Sequence, residues 1–245
     1  MIARLSPVRA AALLFGVVVL AWVVTVERMQ GMDAGPGTDL GGLGWYLGIW
    51  VTMTAAMMLP SEAPAALLVA RLRRGLPAVL FIAGYLAVWT AYGLAAYGLF
   101  RLVTSFDTGW LAWNEGGPYV AGGVIAAAGV YELTSLKQLA LRRCRSPHPD
   151  GPALRSGLAE GLYCVGSSGG LMAVLFAVGV MNVLWMVVVA AVIFAEKVLP
   201  QGLRLTRPLA IALLALGIWV ALSPSTVPGL TEPGMSPSIE MEMQP

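Results

Sequence analysis

Met53 and Met57 stand four residues apart, one helical turn, so their thioethers share a face, with Met58 beside them. Met172 lies in a later apolar stretch, while Met32 and Asp33 fall in a Gly- and Pro-containing segment between two others. Cys164 follows Glu160 by one turn, which sets a thiol and a carboxylate on one face. Thiolate and thioether sulfurs are soft and select Cu(I) over hard cations. The same residue types also fill apolar cores, methionine as flexible packing and cysteine as a small hydrophobe. A buried soft-metal site and plain core filling are therefore the two readings of this set.

Four glutamates, Glu62, Glu132, Glu160 and Glu196, lie within or at the ends of four different apolar stretches. An ionisable group inside a membrane costs about 2.5–3.5 kcal/mol, so each should face the bundle interior and find a partner. Lys137, Lys197 and Arg155 are placed at similar depth. The set reads either as ion pairs that fix helix packing or as a polar vestibule for a cation or proton. Backbone irregularity falls near the same residues. Pro60 and Pro64 lie inside one apolar stretch, where they free carbonyls and favour a kink. The run Cys164-Val165-Gly166-Ser167-Ser168-Gly169-Gly170 allows either close helix contact or an unwound segment lining a site. His148 reads as a solvated loop residue. Cys144, among Arg142, Arg143 and Arg145, reads as part of a basic membrane-surface loop rather than as a reactive thiolate. No nucleophile–base set, phosphate loop or nucleotide fingerprint is present, so the expectation is a protein that is not an enzyme.

The elements that must position these residues are membrane helices. Of the 245 residues, 58% are hydrophobic and 11% charged, against about 25% charged in soluble domains. Seven apolar stretches predict an all-α polytopic bundle, with spans near residues 10–26, 44–70, 76–102, 118–141, 157–180, 183–199 and 208–222, the last of them short. Their lengths and lack of alternation exclude a membrane barrel. The first is read as a retained helix, since Glu27-Arg28 follow where a cleavage site should be. With the N-terminus cytoplasmic, 13 of the 15 Lys and Arg fall on the cytoplasmic side and only Arg28 and Arg101 outside, which puts the C-terminus outside. Residues 1–222 form one transmembrane domain in this reading, and 223–245 a flexible extracytoplasmic tail in which Met241 and Met243 flank Glu242. The two cysteines form no disulfide framework.

Several motifs together resemble one family. They are Gly31-Met32-Asp33-Ala34-Gly35-Pro36-Gly37, Trp50-Val51-Thr52-Met53-Thr54-Ala55-Ala56-Met57-Met58-Leu59-Pro60-Ser61, Tyr131-Glu132-Leu133-Thr134-Ser135-Leu136-Lys137, Cys144-Arg145-Ser146-Pro147 and Gly161-Leu162-Tyr163-Cys164-Val165-Gly166. Gly179-Val180-Met181-Asn182, Glu196-Lys197 and Pro200 continue the series. In order and spacing these are similar to a family of predicted metal-binding integral membrane proteins, some described as membrane copper chaperones. The chain departs from the family's Cys-x-Gly-Cys-Cys-Trp at Ser167, Ser168 and Gly169, and has Glu160 where a histidine is expected. Ala140 stands in place of a cysteine and Ala34 in place of a methionine.

The resemblance and the residues together imply a multi-pass protein of the cytoplasmic (inner) membrane that captures or delivers Cu(I). Its metal-ligating candidates are Met53, Met57, Met58, Glu160, Cys164, Met172, Met32 and Asp33. Its partners would be the lipid bilayer and a copper-dependent enzyme or other membrane subunit, with no nucleic acid. The alternatives are an ion- or proton-coupled transporter, and a non-catalytic scaffold in which metal binding has decayed.

Overall fold

The computed structural model describes residues 7–30, 40–72, 76–105, 113, 115–146, 151–228 and 230, with no strand among them. Met32, Asp33, Met241 and Met243 lie outside the described residues. The helices are α1 (Pro7–Met29), α2 (Leu43–Leu72), α3 (Leu76–Ser105), α4 (Gly117–Glu132), α5 (Ser135–Cys144), α6 (Ala153–Val178), α7 (Val183–Val198) and α8 (Gly202–Leu222). The all-helical expectation holds. Five of them, α1, α2, α3, α6 and α8, are long and apolar enough to cross a membrane, or six spans result if α4 and α5 count as one broken span. α7 occupies the expected sixth stretch with 16 residues, roughly 24 Å of helix, less than the ~30 Å hydrocarbon core. The last helix is longer than expected. It starts at Gly202 and carries Pro208 inside it, giving 21 residues.

Outward faces are apolar: Phe15, Ile211 and Leu222 are each about 70% exposed, a surface suited to hydrocarbon and costly in water. α2 and α6 form the buried centre, α3 packs along α6, α1 lies against α2, and α4 pairs with α8. Small residues permit the closest approaches. A Cβ at Gly157 would strike the backbone of Phe81, one at Gly161 would press on Val88, and Gly122 and Gly217 meet across α4 and α8.

One local feature differs from the sequence expectation, and two others settle how the chain runs. The stretch expected as one span over 118–141 is two helices bent by 70°. The cause is Thr134, which leaves helical geometry (φ −72°, ψ 149°) and caps α5 by accepting from Lys137 N at 3.3 Å; a capping side chain competes with continued helix. Of the two readings of Cys164–Gly170, the structure has the close-contact one, since the segment lies inside α6. Its small residues admit tyrosine hydroxyls to the helix surface, Tyr131 donating to Gly166 O at 2.6 Å and Tyr92 to Gly169 O at 2.8 Å. α2 continues through Pro60 and Pro64 as one helix, with the Ser61 hydroxyl donating to Met58 O at 2.8 Å. α6 ends where Gly179 adopts φ 108°, and Asn182 caps α7 by accepting from Trp185 N at 3.2 Å.

Candidate metal centre

The centre of the bundle gathers one carboxylate and two thiols from three helices. Glu62 comes from α2, Cys144 from the last position of α5 and Cys164 from α6. One ligand atom from each lies within 4.8 Å of the others, and all three residues are buried. Neither cysteine is in a disulfide. The bend at Thr134 matters here, because it turns α5 so that its end reaches α6. Cys144 Sγ lies 3.6 Å from Ser167 Oγ, which itself donates to Cys164 O at 3.0 Å.

Lys197 of α7 completes the cluster. Its Nζ donates to Cys164 Sγ at 2.8 Å and to Glu62 Oε1 at 2.9 Å. The Tyr85 hydroxyl of α3 lies 2.9 Å from the same sulfur. A buried ammonium is stable only against compensating negative charge, which the Glu62 carboxylate supplies here, with the Cys164 sulfur as a second acceptor. The donor set around this ammonium also includes what a soft cation prefers, two thiols that become ligands on losing protons. A sulfur–metal–sulfur bridge spans about 4.6 Å at about 2.3 Å per bond, a separation that the 4.8 Å cluster accommodates.

Of the candidate residues, Cys164 sits in this cluster, and Glu160 is buried beside it, near the Cys144 thiol, with Oε1 unpartnered. Met53, Met57, Met58 and Met172 are buried in the same apolar core as both cysteines. Helical rise separates the thioether positions along the axis: from Glu62, Met58 stands roughly 6 Å, Met57 roughly 8 Å and Met53 roughly 14 Å away, and Met172 stands roughly 12 Å from Cys164. α2 and α6 run in opposite directions here, since Trp50 and Phe176 pack with ring centroids 5.5 Å apart. All four methionines therefore lie towards the same end of the bundle, between the thiols and an aromatic cap. In that cap Trp50 stacks on Tyr46 and Tyr92 and donates from Nε1 to Trp89 O at 2.8 Å.

All four glutamates face the interior, as expected, and none is more than 7% exposed. They do not converge on one vestibule. Glu62 and Glu160 belong to the thiol cluster, whereas Glu132 and Glu196 share Lys137 in a separate group. The reading of Cys144 as part of a surface loop is corrected: it is 8% exposed. The flanking arginines suggested a surface, but Lys137, Ala140, Leu141 and Cys144 form the buried face of α5 at three- and four-residue spacing while Arg142 and Arg143 are exposed. That spacing was the available signal.

Among known proteins, neither a curated sequence nor a solved structure matches this chain. A family model described as a copper chaperone, PpoB2, matches residues 47–220. The matched region contains Glu62, Cys144, Cys164 and Lys197, the residues that meet at the centre of the bundle. The chain belongs to the PpoB2 family of copper chaperones.

Proposed function

We propose that this protein is a multi-pass protein of the cytoplasmic membrane that captures Cu(I) and delivers it onward, without catalysing a reaction. The observation that carries this reading is the convergence of Cys144 Sγ, Cys164 Sγ and a Glu62 oxygen within 4.8 Å in a buried centre. Thiolates bind Cu(I) strongly and need no hard ligands around it. Met32 and Asp33 would make the first contacts, and Met53, Met57 and Met172 would pass the ion between weak thioether sites towards the thiols. With the N-terminus cytoplasmic, that route runs inward from the outer face. The recipient would be a copper-dependent enzyme or another membrane subunit.

A second reading treats the cluster as packing alone, and Lys197 favours it, since its ammonium already satisfies Glu62 and Cys164. Cu(I) titration of detergent-purified protein against a chromophoric chelator separates the two. Wild type should bind one equivalent tightly, and Cys164→Ser and Cys144→Ser should each lose it while remaining folded. Met57→Leu should keep the capacity and load more slowly. Unchanged binding in both serine variants would leave the packing role.

A further inference from the structure

A second buried group lies apart from the thiol cluster. Lys137 Nζ donates to Glu132 Oε1 at 2.7 Å and to Glu196 Oε2 at 2.9 Å. The lysine is fully buried and the two glutamates are 1% exposed. One ammonium thus faces two carboxyl groups, each bound to it through one oxygen. Their outer oxygens, Glu132 Oε2 and Glu196 Oε1, are buried and accept no hydrogen bond. As carboxylates neither can donate to the other, and one ammonium between two of them leaves one negative charge without a paired cation.

Among the described residues, no cation other than Lys137 pairs with either carboxyl group. One turn before Glu132, Gly129 packs against Ala210, Leu213 and Leu214 of α8, and Gly170 of α6 lies against Ala128 and Tyr131. Tyr131, next to Glu132, has its hydroxyl committed to Gly166 O. Arg145 is the other charged group nearby, and its Nη1 is engaged with the carbonyls of Glu196 and Lys197, at 2.5 and 3.0 Å. A hard metal ion would want about six oxygens, and this group has two to spare.

We propose that Glu132 and Glu196, bridged by Lys137, form a binding site for one proton held between the two carboxyl groups. The proton balances the second negative charge and supplies a donor to a buried carboxyl oxygen that has none. Its place in the fold gives it a connection to the copper centre. Glu196 and Lys197 are consecutive, and Arg145, which clamps both their carbonyls, follows Cys144 directly. The proton site and the thiol site are therefore built on the same joint between α5 and α7.

Infrared spectroscopy of the full-length protein in detergent at neutral pH tests this without copper, and so independently of the copper reading. Wild type should show a protonated-carboxyl C=O band that shifts in D2O. Glu132→Gln and Glu196→Gln should each abolish it, because the remaining glutamate then pairs one-to-one with Lys137 and needs no proton. Glu160→Gln and Glu62→Gln should leave that band in place. Absence of the band in wild type, or its persistence in both Glu132→Gln and Glu196→Gln, would overturn the proposal. Either of those two variants suffices if the other fails to fold.

Discussion

Replacing Lys197 with methionine should change copper affinity and stability in opposite directions. In the metal-free protein its Nζ holds Cys164 Sγ at 2.8 Å and Glu62 Oε1 at 2.9 Å. Removing it strands Glu62, which is 3% exposed, and breaking one side of a buried pair costs about 3–5 kcal/mol. Copper binding should respond the other way. A Cu(I) ion reaching Cys164 in wild type must displace the ammonium from the sulfur, giving up a hydrogen bond of the charged kind worth about 1.5–3 kcal/mol. The variant has no such bond to break, so it should bind Cu(I) roughly 10–100-fold more tightly, at about 1.4 kcal/mol per tenfold. Chelator competition reads the affinity, and thermal unfolding in detergent with and without Cu(I) reads the stability. The variant should melt below wild type without copper and gain more from copper than wild type does. A folded Lys197→Met protein with equal or weaker Cu(I) affinity would refute the idea that the ammonium occupies the cation's position.

Two further outcomes follow from the packing and the charge distribution. Gly157→Ala places a Cβ against the backbone of Phe81; α3 and α6 must separate, at a cost of about 1–3 kcal/mol or more, and the thermal midpoint should fall, whereas Gly16→Ala, with open space at its Cβ, should leave it nearly unchanged. Reporter fusions after Ser146 and Ser238 should report opposite compartments, as the Lys and Arg distribution demands; the same compartment for both would remove the expected seven-span topology.

Membrane helices were legible in the sequence because the cost of burying a segment in lipid sums along it. Every apolar stretch became helical, the one over 118–141 as two helices, and the ends fall within a few residues for α2, α3 and α7. The interior placement of Glu62, Glu132, Glu160 and Glu196 was legible for the same reason: a charge facing hydrocarbon is too costly, whatever the fold. Cys164 stood out as a thiol one turn from a carboxylate. The copper chaperone family was legible in its motifs, and the family match over residues 47–220 agrees with them.

Which of these residues meet was decided only by the tertiary structure. The sorting of four glutamates into two groups depends on which faces of α2, α4, α6 and α7 turn towards one another, and glycine contacts such as Gly157 on Phe81 set those faces. Cys144 looked like a surface residue because its arginine neighbours dominate any local reading. It reaches Cys164 only because Thr134 breaks the helix and bends α5 by 70°. A single ion pair between Lys197 and Glu62, 135 positions apart, then ties α7 to α2 beside the thiols. Local preference along the chain specifies helices and their depth; the site arises from contacts between helices, whose energies depend on orientation and distance in three dimensions.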